Sequence, residues 1–424
     1  VSGGAVSAMP ARYRRRGSAP GSCNGPSVQL SGCGGGPPGV LDASSLRANT
    51  DGMGIAVPFP DTQPPGYEWF VDEPVFDPAR HLQLEAPTDI VLLADLGYSE
   101  EEIATKATPV AASSPFRMLS AEGAEVMLTI ARRLREFAMP AGDRIESMTR
   151  GGCYRSMWLR DLCVSPEVTD HLEQIYGIEI APHAMPLHLG HINFEPSRID
   201  AAIDKWHHDT LPLDFVMTVT DPALVAGARF EYFLGTKHEA AALSARGETP
   251  PPDRTVAPDF PGPGYAIALH GDMVVHRAGP LMELTERISM VNGYVAVDTS
   301  RDEQSRSADL IVVDDPNALY TEWAKFAAWR SHGRLGALLD ELEFSADPEA
   351  VAAQLDSAIA VVAQAAAEYR RPLPLSAPRT GLALAGLRLA VEDAVLVGGA
   401  LGARVADGTF RTGIVGSGAG PRAV

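Results

Sequence analysis

The spacing of apolar residues changes character along the chain, and the changes mark its parts. Up to residue 64, Gly, Pro and Ser dominate and periodic apolar positions are scarce. Such a stretch buries too little surface to offset the entropy of ordering, which predicts a disordered leader. Residues 89–97 then read as a short helix with a glycine stop, and Ser99-Glu-Glu-Glu-Ile103 begins another. Residues 120–137 have the spacing of a longer amphipathic helix that ends in a basic turn, with Pro140 beyond it. After Cys153 the period shortens. Runs rich in β-formers at 215–220, 228–234, 265–270 and 288–297 alternate with Gly, Pro and Asp clusters, which predicts an antiparallel β core. The polar, proline-rich stretch 239–263 is expected to connect strands without joining a sheet. Asp314-Asp315-Pro316 then starts helices at about 317–342 and 347–370, which Arg371-Pro-Leu-Pro374 ends.

These boundaries give a leader (1–64), a helical N-terminal part (65–148), a β catalytic core (149–300), C-terminal helices (301–372) and an Ala/Gly-rich tail without an assigned role (373–424). The fold class is mainly β with α additions. The 54 acidic against 35 basic side chains, a formal charge of -19 over 424 residues, argue against a nucleic-acid partner. Four cysteines (Cys23, Cys33, Cys153, Cys163) are too scattered for a disulfide framework and fit a reducing cytoplasm. The basic cluster from Arg12 to Arg16 lacks the apolar run of a secretory signal. The apolar stretch 382–405 is interrupted by Arg388, Glu392, Asp393 and Arg404, so no membrane span is expected there. A cytoplasmic protein with a small-molecule partner, no nucleic acid and no membrane is the expectation, with oligomeric state open.

The residues that carry chemistry fall in the β core. In Asp204-Lys-Trp-His207-His208-Asp209, side chains two apart on a strand share a face, so His207 and Asp209 can point together while His208 points away. A third ligand has to come from a distant segment, and His276 in His270-Gly-Asp-Met-Val-Val-His276-Arg-Ala-Gly-Pro280 follows a β-rich run. Two imidazoles and one carboxylate on one face of an octahedron leave three positions open, an arrangement suited to iron(II) oxygenases. A single His-X-Asp pair is common by chance. Arg287-Ile-Ser289 adds a guanidinium fork and a hydroxyl on one face, able to grip a carboxylate away from the metal. His270 is the nearest competitor to His276, and His183, His188 and His191 could in principle bind zinc, although His188 and His191 would not share a strand face. Tyr154, Arg155, His191, Asn193, Arg229 and Tyr232 are candidate substrate contacts, each weighed against a structural role. Gly416-Ser-Gly-Ala-Gly420 has no room for the helix that a phosphate loop needs.

The ordered set His207-X-Asp209, His276 and Arg287-X-Ser289, with Trp206-His-His-Asp209, His276-Arg-Ala-Gly-Pro280 and Arg287-Ile-Ser-Met-Val-Asn-Gly-Tyr294 around it, resembles the iron(II)/2-oxoglutarate-dependent dioxygenase superfamily, in its phytanoyl-CoA-hydroxylase-like branch. Residues 149–298 are also similar to small-molecule, often amino-acid-modifying oxygenases of natural-product pathways. The resemblance covers about a third of the chain. It implies a double-stranded β-helix (jelly roll) flanked by helices. It further implies Fe(II) on His207, Asp209 and His276, 2-oxoglutarate held by Arg287 and Ser289, and O2 as oxidant, with decarboxylation to succinate and CO2. The carboxylate of Asp209 occupies the position that related halogenases leave vacant for halide, which implies hydroxylation, desaturation or ring closure. A non-catalytic jelly-roll binding module, or a zinc hydrolase on the same triad, are the alternatives.

Overall fold

The computed structural model describes residues 57–370, apart from 142–143, 200–201, 302 and 312, and the backbone of three short strands between 395 and 412. Every described residue lies in one compact unit. The leader reading for residues 1–56, and Gly416 to Gly420, fall outside the described residues.

In chain order the elements are α1 (Pro78–His81), β1 (Ile90–Leu92), α2 (Glu100–Thr105), β2 (Val110–Ser113), β3 (Phe116–Arg117), α3 (Ala121–Leu134), β4 (Met139–Ala141) and β5 (Ile145–Thr149). Then follow α4 (Met157–Cys163), α5 (Pro166–Tyr176), β6 (Ile180–Pro182), β7 (His191–Asn193), β8 (Ala202–His207), β9 (Leu213–Thr218), β10 (Phe230–Phe233), α6 (Lys237–Ala245) and β11 (Thr255–Val256). The last are β12 (Tyr265–Leu269), β13 (His276–Pro280), β14 (Ser289–Ala296), α7 (Ser307–Leu310), α8 (Pro316–Glu341), α9 (Pro348–Arg370), and β15 (Val395–Val397), β16 (Ala400–Arg404) and β17 (Phe410–Thr412).

Two antiparallel sheets make the core. The larger runs β1-β2-β12-β9-β14-β7-β5-β4, with β3 beside β12 and β6 beside β14; the smaller runs β11-β10-β13-β8. Alternation along β9 and β14 assigns the faces. Phe215, Met217, Met290 and Tyr294 pack outward with Ile130 and Leu134 of α3, Trp158 and Leu162 of α4 and Leu172 of α5. Val216, Ile267 and Leu269 face the other way, onto Phe230 and Tyr232 of the smaller sheet. The space between the sheets is therefore apolar at one end, and the polar site lies beside it.

Local signals explain the helices. Ser99 and Glu102 form a reciprocal cap on α2, and Ser120 Oγ accepts the Gly123 amide at the start of α3. α8 starts at the expected Asp315 cap with Pro316 in its first turn, and it buries Leu319, Trp323 and Phe326 against Leu187 and Val295. α9 packs along α8 as the second arm of a hairpin, with Ala358 and Ala365 buried. By length and composition α9 is also apolar enough to cross a membrane, with a window of mean hydropathy 1.4.

Five expectations change. The N-terminal part is not only helical, because it supplies β1 to β5 of the larger sheet. Within 89–97 the first half is β1 and only Leu93–Leu96 is helical, as a 3-10 turn stopped by Gly97 in the left-handed region. The core from 149 also holds α4 and α5. The connection 239–263 contains most of α6 as well as β11, which pairs with β10. Residues 57–64, read as leader, are packed: the Phe59 ring lies 5.1 Å from Tyr154, and Gln63 donates to the Tyr154 carbonyl.

Candidate metal centre

β8 and β13 are antiparallel neighbours, and their register sets His207 directly opposite His276. The two rings lie 4.3 Å apart between centroids. Asp209, two residues past His207, is drawn back to the same place because its amide donates to the Gly271 carbonyl at 2.8 Å. Only glycine fits at 271: a Cβ there would sit 2.4 Å from Asp214 Oδ2 and 2.6 Å from the Leu211 carbonyl. One ligand atom from each of His207, Asp209 and His276 lies within 4.8 Å of the others, a group that could hold a metal ion.

The hydrogen bonds select the tautomers. The Nδ1–H of His207 donates to the Lys205 carbonyl at 2.6 Å and that of His276 to the Val274 carbonyl at 3.0 Å. Both Nε2 atoms are left facing the carboxylate, His207 at 3.4 Å from Oδ1 and His276 at 3.6 Å from Oδ2. A backbone carbonyl that holds the Nδ1 proton in this way fixes the ring and aims its Nε2 at a metal. Donors on one face of an octahedron with ~2.1 Å bonds are separated by about 3 Å, close to these spacings. Burial, with His207 beside it, holds His276 down at about 3, so it is neutral and able to ligate at neutral pH. Burial opposes ionisation of Asp209, but the His207 hydrogen bond and the fields of His276 and His207 outweigh it and keep the carboxyl well below the usual range. The donor set is thus two imidazoles and one carboxylate.

The structure also joins Arg287 to Ser289. Arg287 Nη1 donates to Ser289 Oγ at 2.6 Å, and the Arg287 amide is fixed by Glu195 Oε2 at 3.0 Å. Ser289 is cross-strand to both Thr218 and Asn193. Burial lowers the Arg287 guanidinium to about 10, against the fields of Asp204 and Glu195, and it stays charged at neutral pH.

The remaining candidates divide. His191 and Asn193 lie on β7 beside Ser289 and Val291 of β14, share a strand face, and bring the buried His191 Nε2 and Asn193 Oδ1 to each other as partners. Tyr232 is cross-strand to His276 and buried in the apolar cluster between the sheets. Tyr154 and Arg155 are placed elsewhere: the Tyr154 hydroxyl donates to Glu322 Oε1 at 2.7 Å, and Arg155 stacks on Tyr67 and Phe137. Arg229 is exposed and bound to Asp259 and the Ala257 carbonyl, because its β-strand neighbours carry the inward positions. His270 is tied to the Val110 carbonyl and Asp272, so it does not compete with His276. His183 faces Ser305 Oγ and accepts the Met185 amide, and His183, His188 and His191 form no metal-type group among the described residues. The sequence reading missed Arg144 and Gly271. Arg144 Nε lies 2.9 Å from Asp204 Oδ1, which lies 3.4 Å from His207 Nδ1. Neither residue carries a motif, since both act through contacts made by distant segments.

No family model and no curated protein matches the chain. Among solved structures it is similar to the non-haem alpha-ketoglutarate-dependent carbocyclase SnoK from nogalamycin biosynthesis, at 18% identity over 50% of this chain and 88% of that one, with a TM-score of 0.34. It is similar also to the non-haem alpha-ketoglutarate-dependent epimerase SnoN from the same biosynthesis, at 17% identity over 42% and 75%, with a TM-score of 0.32. A third is EctD from S. alaskensis with 2-oxoglutarate and 5-hydroxyectoine, at 16% identity over 56% and 88%, with a TM-score of 0.31. Likeness at this level carries no weight for this chain's chemistry, which stands on the residues above.

Proposed function

We propose that this chain is a non-haem iron(II) oxygenase that uses 2-oxoglutarate and oxidises a small polar metabolite such as an amino acid or a derivative. The observation that carries the reading is the convergence of His207, Asp209 and His276 on one point, with the Arg287–Ser289 pair in the same core. Strands β7 to β14 are shared between the two sheets in the orders β12-β9-β14-β7 and β11-β10-β13-β8, crossing from one to the other at every step except β10 to β11, which supports a double-stranded β-helix. The donor set fits iron(II), with His207, Asp209 and His276 as its ligands. When bound, iron(II) with dioxygen and 2-oxoglutarate supplies the oxidising chemistry, at the expense of 2-oxoglutarate, which leaves as succinate and CO2.

The protein's own residues bind and orient. Arg287 and Ser289 offer a charge-assisted fork for the carboxylate of 2-oxoglutarate far from the metal. Val216, Phe230, Tyr232 and Ile267 exclude water from the space beside it. Asp209 keeps a carboxylate in the ligand set, which favours hydroxylation, desaturation or ring closure over halogenation.

Anaerobic titration with iron(II) and then 2-oxoglutarate tests this reading through the weak visible charge-transfer band of the chelate. The band is expected in the wild type, and Arg287→Ala is expected to need about 10–100-fold more 2-oxoglutarate, the loss of a buried charged hydrogen-bond pair worth about 1.5–3 kcal/mol. Bound metal without a band refutes the reading. Turnover without dioxygen would then identify a hydrolase, and no turnover a binding module.

A further inference from the structure

The hairpin of α8 and α9 leaves two apolar stripes exposed. On α9 the stripe is Ala352, Leu355, Ile359, Val362 and Ala366, spaced three and four residues apart in turn. That is the spacing of a coiled-coil seam, with its large residues at the middle. Leu355, Ile359 and Val362 are 48%, 41% and 38% exposed. The seam is separate from the residues that hold α9 in place, since Ala358 and Ala365 are the buried ones. On α8, Leu335, Leu339 and Leu342 continue the same spacing, and Leu339 is 89% exposed.

The two stripes lie on one face. Arg334 Nη1 donates to the Ser357 carbonyl at 3.2 Å and the Val362 amide to Ser331 Oγ at 3.4 Å, so Leu335 and Ile359 stand nearly level. With 3.6 residues per turn, the α8 stripe is about a quarter turn from Ser331 and Arg334, and the α9 stripe about a quarter turn from Ala358 and Ala365. Because the helices run antiparallel, both turns lead to the same side, away from Trp323, Phe326 and the sheet. A face about 35 Å long and two helices wide presents roughly 700 Å². Two copies would together bury roughly 1,400 Å², within the range of stable interfaces.

Other occupants fit less well. Between α9 and β15, Pro372, Pro374, Pro378, Gly381 and Gly386 leave no unbroken run longer than residues 387–394, too short for a helix that matches the seam. Glu341, Glu343, Glu349 and Asp356 stand exposed around the face, and α9 has no Lys or Arg before Arg370. Helices that lie on lipid are rich in both. A second copy matches instead, because the α9 stripe is close to symmetric about Ile359. An antiparallel copy of α9 sets Ile359 against Ile359, Leu355 against Val362, Ala352 against Ala366, and the exposed Glu349 against the exposed Arg370. Parallel pairing would set Glu349 and Asp356 each against itself.

We infer that the outer face of the α8–α9 hairpin docks a second copy of this chain, antiparallel, as a four-helix bundle about a two-fold axis at Ile359. The inference is independent of the oxygenase reading. Light scattering during gel filtration of the full chain tests it. Wild type is expected to run as two chains at micromolar concentration. Ile359→Glu, at an exposed position, is expected to weaken the dimer about 100-fold or more with an unchanged circular-dichroism spectrum. Orientation is read with Cys23 and Cys33 replaced by Ser and oxidised glutathione added. A mixture of Ala352→Cys and Ala366→Cys chains is expected to form a disulfide between copies, and neither chain alone. A wild type that stays single at high micromolar concentration, a dimer that Ile359→Glu leaves intact, or Ala352→Cys that links to itself as fully as to Ala366→Cys would each overturn the inference. Flotation of single chains with phosphatidylglycerol vesicles would also overturn it and give the face to a lipid surface.

Discussion

Two clusters of polar side chains lie inside the molecule, and they are built in opposite ways. Around Arg150 every charge is answered: its guanidinium makes two parallel bonds to Asp314, at 2.8 and 2.7 Å, and Glu322 accepts from the Tyr154 hydroxyl and the Leu187 amide. Around His207, Asp209 and His276 the polar groups converge on one point instead of pairing off, with both Nε2 atoms facing the Asp209 carboxylate at 3.4 and 3.6 Å. His188, both ring nitrogens unmatched, lies within the fields of both Arg150 and Asp209. The contrast separates charge that holds α8 to the sheet from charge arranged for something that comes and goes. Burial alone does not distinguish the two clusters; the accounting of partners does.

The sharpest way to break the comparison is to remove the carboxylate on the open side. Asp209→Ala is expected to lower turnover by more than 10³-fold, about 4 kcal/mol or more of barrier, and to abolish stoichiometric iron binding, while the thermal midpoint of the metal-free protein moves little. Metal analysis and calorimetry of the same sample check this. A variant that binds iron normally would show that the three side chains do not act as a unit.

The paired cluster should respond the other way. Arg150→Met leaves Asp314, whose side chain is fully buried, without its counter-charge, and breaking such a pair costs about 3–5 kcal/mol of folding stability. Iron and 2-oxoglutarate affinity of the folded fraction should hold. Denaturant unfolding separates the effects, and adding Asp314→Leu should restore much of the loss. Equal stability in Arg150→Met and wild type would remove the structural reading of this cluster.

What the sequence made legible follows the same division. His207, Asp209, Arg287 and Ser289 announce themselves as two pairs spaced by two residues, whereas His276 lands opposite His207 through a β8–β13 register that none of the β-rich runs marked. Tyr154, Arg155 and Arg229 are also polar residues in promising positions. Their aim is decided by non-local partners, Glu322 on α8, Tyr67 and Phe137, and Asp259, which no local pattern reveals. β2 escaped for a related reason: Val110-Ala-Ala-Ser113 is buried at all four positions, so it shows no alternation. α4 and α5 could have been read, since Ser156 caps the first and Ser165-Pro166 and Gly177 bracket the second.

The smallest effect tests whether the paired cluster is as neutral as its partners make it. Burial raises the Glu322 carboxyl from its ordinary value of 4.5 to about 8, with Asp314 adding to the rise against the Leu187 amide, Tyr154 and Arg150. The folded state therefore holds a proton that the unfolded state releases above about pH 4.5. Stability from this group is complete below that pH and is lost as pH rises toward 8, since the unfolded chain binds fewer protons throughout the window. Glu322→Gln keeps a carbonyl acceptor and cannot ionise. It should flatten the decline of unfolding free energy between pH 5 and pH 8 by on the order of 1–2 kcal/mol, a fraction of the ~1.4 kcal/mol per unit that a fully resolved shift would give. Parallel declines in wild type and variant would mean that Glu322 is ionised in the fold. The Arg150 cluster would then hold an unanswered charge of its own, and the distinction between the two clusters would rest on the convergence of His207, Asp209 and His276 alone.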